Sequence, residues 1–391
     1  MENLRKCTLW EGKHFFKLKV GNNKIDLFNI RKTCYHYTTL ETFWKIIEND
    51  TFHATHVRFS NDEEEYTQGK KIIEGIIKDT LPEKPTQLYM ICLCSGPNIL
   101  SQWREYAQSG VSIGLDFPRG SLFSILPKDE KNDNDVKSFS VSSMPIDVLY
   151  TRKNKDSDDW EFASNDNHLL FTSEHLKNGF DTQKISETSI LDTYKGLIPY
   201  IKHWDFSEEK EARLVFDLSD DEYNMNEFIS YKDVNHIKRP YCKINYGDRH
   251  DSEKDCTYVS VGKNITCRTE IESKLKEHCP YLVEPPYLSE TDYDHICISA
   301  GKNQHELFKL VEGIAKSISP EKEIKIFCDG HWPIRSVMVG PTANKKQIAE
   351  NIKQFINNNY WLKYIDVGYS ETPYREKNRD SLSTNESQTK F

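Results

Sequence analysis

The hydrophobic positions of this chain change period repeatedly along its length, and each change predicts an element. Phe15-Phe-Lys-Leu-Lys-Val20 and Lys24-Ile-Asp-Leu-Phe-Asn-Ile30 alternate around Gly21-Asn-Asn23, which predicts a leading hairpin. A strand ends near Tyr37, and the spacing over 40–49 predicts a helix immediately after it. Residues 51–60 carry neither period and read as irregular. A second helix is expected from Asn61 or Asp62 to about Lys78, because Asn61-Asp-Glu-Glu-Glu65 supplies a cap and first-turn acids, which makes the charge cluster a helix start before a metal site. Leu88-Tyr-Met-Ile-Cys-Leu-Cys94 is nearly continuous apolar sequence, the pattern of a strand buried on both faces. After a turn at Ser95-Gly-Pro-Asn98 come a short amphipathic helix over 100–107 and a strand over 111–117.

The second half is patterned less evenly. Residues 127–165 are charge-rich around 129–135 and 152–159, two runs that read as surface loops on either side of one strand-like stretch, Pro145-Ile-Asp-Val-Leu-Tyr150. Leu197-Ile-Pro-Tyr-Ile-Lys-His-Trp204 and the acidic run after it lead into a strand over 214–216. Strand 295–299, helix 304–318 and strand 323–327 form a βαβ-like unit. A strand over 334–341, a helix over 345–358 and a strand over 362–367 close the patterned region, and the tail from Glu376 has the composition of a disordered segment.

Composition narrows the class. With 391 residues, 37% hydrophobic and 29% charged, the chain is long enough for two domains or for one with large insertions. No run approaches the roughly 18 apolar residues of a membrane helix, and Met1-Glu-Asn-Leu-Arg-Lys-Cys7 lacks the apolar core of a secretory signal, so a cytoplasmic location is expected. The ten cysteines are scattered without a C-x-x-C pair, which argues against zinc and for buried free thiols. Cys92 and Cys94 would share one face of a strand. The net charge of −9 disfavours a duplex-binding surface while leaving room for a local basic pocket that takes a phosphate-bearing ligand.

Two places carry candidate chemistry. Tyr35-His-Tyr-Thr38 puts an imidazole, a phenol and a hydroxyl at a strand-to-helix turn, where polar groups and backbone N–H meet ligands. Glu209-Lys-Glu-Ala-Arg213 is an E-x-E run whose two acids, with Arg213, lie on one face if extended. Plain alternatives stand beside both: a structural histidine for His36, a solvated charge run for 208–211, and a core-facing stripe for Trp103 and Tyr106.

Taken together, Tyr35-His-Tyr-Thr-Thr-Leu-Glu41, Phe59-Ser-Asn-Asp-Glu-Glu-Glu65, Cys92-Leu-Cys-Ser95 with Gln102-Trp-Arg-Glu-Tyr-Ala107 and Gly110-Val-Ser-Ile-Gly-Leu-Asp-Phe117, and Trp204 with Glu209–Arg213 resemble a large, mostly bacterial family, domain of unknown function 2971. Val339-Gly-Pro341 and Ser370-Glu-Thr-Pro-Tyr-Arg375 look like its C-terminal signature. The resemblance covers about 31–120, 200–217 and 332–376. The layout looks like the ADP-ribosyltransferase fold of the His-Tyr-Glu class. It implies an α+β fold of mixed sheets with flanking helices, spanning 31–239 and 332–376, with a leader hairpin over 1–30, an α/β insertion over 240–331 and a disordered tail over 377–391.

The resemblance also implies a reaction. NAD would be the substrate, its nicotinamide–ribose bond cleaved and ADP-ribose passed to a protein or nucleic-acid acceptor or to water, as in a bacterial toxin or antiviral defence effector. Glu211 would be the catalytic carboxylate and Glu209 the acceptor-side one. His36 and Thr38 would meet the ribose and diphosphate, Tyr37, Trp103 or Tyr106 would stack on nicotinamide, and Arg213 would pair with an acid or a phosphate. The family's acidic stretch often reads Asp-Pro-Phe-Glu; here it is Asp62-Glu-Glu-Glu65, which leaves the role of Glu65 open. The insertion would recognise a partner or acceptor. The alternative is a non-catalytic nucleotide-binding sensor, and a nucleic-acid-processing enzyme is a third class.

Overall fold

The computed structural model describes, apart from short gaps, residues 31–59, 63–81, 87–117, 122–128, 139–179, 194–218, 225–246, 304–318 and 331–372, parts of 270–277, and strand segments at 4–5, 17–20, 23–26, 256–260, 295–299 and 325–328. It is a mixed α/β structure with two mixed sheets and several helices. The larger sheet has 13 strands. Its central order runs Ile237–Tyr246, Phe52–His56, Leu88–Cys94, Thr33–Thr38, Val111–Asp116, Ile334–Val339, and Glu211–Asp217 also pairs with Leu88–Cys94. The smaller sheet orders Leu169–Thr172, Trp160–Ala163, Leu149–Lys153 and Ile201–His203.

Strand alternation sorts the side chains of the large sheet into two faces. On one face, Tyr89, Ile91, Leu93, Ala212, Leu214 and Phe216 join a single apolar core with Phe43, Ile46 and Ile47 of helix Leu40–Asn49 and Ala349, Ile352 and Ile356 of helix Lys345–Asn357. On the other, Met90 and Val215 pack with helix Glu63–Ile77 and the small sheet, while Cys94 packs with Tyr37, Trp103 and Ala107. A cavity lies between these last two clusters.

One strand is shared in a way that opens the sheet. Leu88–Cys94 pairs along its whole length with Glu211–Asp217. Its opposite edge is divided: Thr55 and His56 of one neighbour meet Met90 and Tyr89, and Tyr35 of the next meets Cys94. Residues 91–93 fall between the two, and there the neighbouring strands diverge. Close backbone contacts elsewhere hold the frame. A Cβ on Gly110 would collide with the backbone of Thr38, Thr39 and Ala107, so that position excludes a side chain, and one on Gly114 would force the Ser336 hydroxyl aside.

Several expectations are met closely, among them the helix at 40–49, the strand at 88–94 and the antiparallel hairpin pairing Lys17–Val20 with Asn23–Asp26. Strands His295–Ser299 and Lys325–Cys328 flank Cys256–Ser260, each antiparallel to it, so they run in the same direction, with helix Gln304–Ile318 between them in sequence. Three expectations need correction. Residues 51–60 are not irregular: Phe52–His56 is a strand whose Phe52 and Ala54 turn inward. The charged run around 154–157 is an exposed turn, as expected, closing the hairpin Leu149–Lys153 to Trp160–Ala163, while the run over 129–135 lies outside the described residues. Leu88–Cys94 is not buried throughout both faces, because Cys92, between buried Met90 and Cys94, is exposed. Strand Ile237–Tyr246 pairs with both Phe52–His56 and Leu122–Leu126, so it runs across the expected 239/240 boundary inside the large sheet. The caps Asn61 and Asp62 and the tail from Glu376 lie outside the described residues. No helix among the described residues is long and apolar enough to cross a membrane.

Candidate functional site

A cavity of about 1300 Å³ opens where the sheet divides, with residues 90–94 along its floor. Its walls come from helix Leu40–Asn49, strand Phe52–His56, the turn of helix at 100–107, and the segments around Lys202, Glu209 and Lys243. The 103–107 stretch is a π-helix, a wider turn than the α-helix. It presents Arg104, Glu105 and Tyr106 to the cavity.

At one end of the floor sits a network of three carboxylates and two cations. Arg213 Nε donates to Glu211 Oε1 at 2.7 Å, and its Nη2 donates to Glu211 Oε2 at 2.9 Å and to Glu65 Oε1 at 2.5 Å. Lys202 Nζ donates to Glu209 Oε2 and Glu211 Oε2, both at 2.8 Å. Arg213 Nη1 donates to the Pro199 carbonyl, and the Glu211 N–H donates to the Tyr150 hydroxyl at 2.8 Å. The alternation of strand Glu211–Asp217 explains the placement: the residues that face away from Ala212, Leu214 and Phe216 are Glu211 and Arg213.

Burial sets the electrostatics. It would raise the Glu211 carboxyl, but Arg213 and Lys202 outweigh it and hold that carboxyl well below the usual range. Burial would lower Lys202, yet Glu211 and Glu65 keep its ammonium firmly charged. Glu209 is different. Burial raises its pKa, Lys202 pulls the other way, and the charge on Glu211 adds to the rise.

His36 closes the gap in the sheet. Its Nδ1 lies 3.3 Å from the carbonyl oxygen of Cys92, which can only accept, so the proton sits on Nδ1. Its ring meets Phe52 edge-on at 5.0 Å. Surrounding protein lowers its pKa to about 4, so the imidazole is neutral near pH 7. Beside it, solvent reaches Cys92 through the cavity while protein encloses the remaining sides, and that enclosure, with the charge of Glu211, pushes the thiol pKa up.

Of the expected site residues, the structure brings His36, Tyr37, Tyr106, Glu209, Glu211 and Arg213 to the cavity wall. Thr38 and Trp103 are not on that wall. Trp103 is buried, donates from Nε1 to Asn98 Oδ1 at 2.7 Å and meets the Tyr37 ring at 4.7 Å. Tyr37 is itself buried apart from its contact with the cavity. Its hydroxyl donates to the Gly96 carbonyl at 2.9 Å and accepts from the Ile99 N–H at 2.7 Å. Arg213 pairs with acids, one of the two partners expected for it.

Sequence reasoning missed Lys202, the cation that joins Glu209 to Glu211, and did not place Glu65, which faces Arg213 from helix Glu63–Ile77. It also missed a basic wall of Lys232, Arg239 and Lys243. For Lys202 a signal existed: a lone lysine within Leu197-Ile-Pro-Tyr-Ile-Lys-His-Trp204 is a charge inside apolar sequence, and such charges are buried only with partners.

Residues 102–214 match a family described as protein of unknown function (DUF2971). The match supports the family resemblance. It takes in the π-helix, the strands of the small sheet and the Glu209–Arg213 segment, including the 121–195 stretch that the motifs left uncovered. No curated protein and no solved structure gives a match.

Proposed function

We propose that the cavity binds a nucleotide, NAD foremost, and that the protein cleaves the nicotinamide–ribose bond in the manner of an ADP-ribosyltransferase. The observation that carries this reading is the separation of charge within one cavity. The floor end holds three carboxylates against two cations, while the opposite wall carries Lys232, Arg239 and Lys243. NAD has matching polarity, a cationic nicotinamide ring and an anionic diphosphate. At roughly 4.8 Å per strand, the three steps from Arg213 to Lys243 span roughly 15 Å of sheet. The volume exceeds the roughly 300–1,000 Å³ of ordinary small-molecule sites, which suits a dinucleotide.

Cleavage builds positive charge on the ribose, and an ionised carboxylate at the reacting carbon lowers that barrier. Both oxygens of Glu211 are engaged by Arg213 and Lys202, whereas Glu209 meets Lys202 through one oxygen at the cavity margin. Glu209 is therefore assigned to the ribose, with Glu211 positioning Lys202, the reverse of the roles that the resemblance implies. Tyr106 and Phe206, both on the wall, are the rings that could cover nicotinamide.

The test is nicotinamide release from NAD by wild type, Glu209→Gln and Glu211→Gln, with NAD binding followed by calorimetry. Release by wild type that disappears in Glu209→Gln while binding persists supports the reading. Full release from Glu209→Gln would overturn the assignment. A second reading, nucleotide binding without turnover, draws on the same neutralisation of Glu211 by two cations. NAD binding with no nicotinamide released, acceptors from cell extract and RNA present, would favour it.

A further inference from the structure

The helical turn at 100–107 leaves two polar side chains unused at the cavity wall. Gln102 lines the cavity, is only 5% exposed, and forms no side-chain hydrogen bond among the described residues. Its neighbour Ser101 lines the cavity too, and the Ser101 hydroxyl is buried without a hydrogen-bond partner among the described residues. Burying an amide or a hydroxyl unpaired costs free energy, so an unpartnered pair on a cavity wall points to a ligand that completes it.

The residues that flank this pair are bonded and fixed. On one side the Ile99 N–H donates to the Tyr37 hydroxyl at 2.7 Å. On the other, Trp103 donates from its backbone N–H to the Ile99 carbonyl at 3.1 Å and from Nε1 to Asn98 Oδ1 at 2.7 Å. Asn98 Oδ1 also accepts from Ser370 Oγ at 2.8 Å. The Trp103 ring lies against Gly340, where a Cβ would come within 2.8 Å of it. The backbone on both sides of Gln102 is therefore set before any ligand arrives, the condition for a precise contact.

Position suggests what the amide meets. Helix Leu100–Gln102 packs beside the turn Trp204–Glu209, which brings Phe206 and Glu209 to the same end of the cavity. Tyr106 follows Gln102 by four residues, about one helical turn, and shares the wall. Phe206 and Tyr106 are the rings assigned to cover nicotinamide. A glutamine amide offers a donor and an acceptor side by side. A primary carboxamide such as that of nicotinamide offers the same two groups in reverse, so the pair can close two parallel hydrogen bonds.

We infer that Gln102 reads the carboxamide of the ligand's nicotinamide ring, donating to its carbonyl and accepting from its amino group, with the Ser101 hydroxyl beside it. The inference rests on the nucleotide reading above and adds to it the residue that sets which pyridine ring the site accepts. Gln102 is a specificity residue, distinct from the carboxylates and cations of the floor.

The experiment uses the full chain as wild type and Gln102→Leu, which keeps the side-chain volume and removes the amide. Calorimetry compares three ligands: NAD, its 3-acetylpyridine analogue, in which methyl replaces the carboxamide amino group, and nicotinamide hypoxanthine dinucleotide, in which an oxo group replaces the amino group of adenine. Wild type should bind NAD about tenfold more tightly than the acetylpyridine analogue, and Gln102→Leu should bind the two alike. The hypoxanthine analogue should follow NAD in both proteins. Without ligand, Gln102→Leu should melt no lower than wild type, because it loses an unpaired buried amide and keeps the packing.

A preference for NAD over the acetylpyridine analogue that survives in Gln102→Leu would overturn the inference and leave the nucleotide reading standing. So would a clear drop in melting temperature, which would show the amide bonded within the fold. Discrimination against the hypoxanthine analogue that is lost in Gln102→Leu would move the contact to adenine and overturn the carboxamide assignment. No NAD binding by wild type would overturn the nucleotide reading and this inference together.

Discussion

The two faces of strand Glu211–Asp217 are built by opposite rules. Ala212, Leu214 and Phe216 enter an apolar core in which every contact is non-directional and any neighbour of suitable volume will do. Glu211 and Arg213, one residue away on either side, enter a network where each charge depends on a named partner. An apolar face loses stability in proportion to what is removed. A buried ionic face fails abruptly, because deleting one member strands the others without water.

The largest effect should come from breaking the ionic face at its centre. Arg213→Met leaves Glu65 and Glu211 buried beside a neutral side chain, and should cost about 3–5 kcal/mol in urea unfolding. Adding Glu65→Leu and Glu211→Leu should restore most of that loss while abolishing any NAD binding that the wild type shows. A single variant as mild as a surface change would mean that water enters the cluster and the contrast between faces is false.

The matching cut in the apolar face is Phe216→Ala, expected to cost about 3–5 kcal/mol through lost transfer energy and the cavity left behind. Activity per folded molecule should not change, because Phe216 faces away from the cavity. A smaller cut is Tyr150→Phe. It removes the acceptor of the buried Glu211 N–H and should cost about 1–3 kcal/mol.

The most gradual effect is a pH slope. His36 is lowered to about 4 in the fold against 6.5 for an ordinary histidine, so between those values the unfolded chain takes up a proton that the folded chain refuses. Stability therefore falls as pH drops from about 6.5 to about 4, and His36→Gln should flatten that limb. His53, also lowered to about 4, adds a second share in the same window. Glu211, held far down by Arg213 and Lys202, keeps its charge throughout and contributes its loss only in stronger acid. Urea midpoints at several pH values measure the slope; equal slopes for wild type and His36→Gln would show that the His36 imidazole is not shielded.

Legibility followed locality. The helix at 40–49 could be read because Phe43, Ile46 and Ile47 repeat at helical spacing and Thr39 caps it, its hydroxyl accepting from the Thr42 N–H at 3.2 Å. Strand Phe52–His56 was illegible because its outward residues, His53 and Thr55, line a cavity rather than facing ordinary solvent or core. Glu211 and Arg213 could be picked out because i, i+2 spacing puts them on one face of strand Glu211–Asp217, whereas Glu209 ends the helical turn Trp204–Glu209, outside that strand, and joins the network through Lys202. The position of Lys202 signalled burial with a partner but not which one, and Glu65 gave no such signal: they reach the same place from a different sheet and a helix, and no spacing rule joins residue 65 to residue 213. Trp103 shows the reverse failure, an aromatic in the right segment whose ring is claimed by Tyr37 and Asn98.

The sequence by itself determined the strong periods: the helix at 40–49, the strand at 88–94, and that Glu211 and Arg213 share a side of one strand. Those properties depend on neighbours two to four residues away, which the chain order displays. Only the tertiary structure decided that Leu88–Cys94 is divided between two neighbours, so that a cavity opens at residues 91–93. It alone decided that Lys202 ties Glu209 to Glu211 and that Lys232, Arg239 and Lys243 converge on the facing wall. Such arrangements depend on strand order and on charges drawn together from distant segments by burial, and neither leaves a period in the sequence.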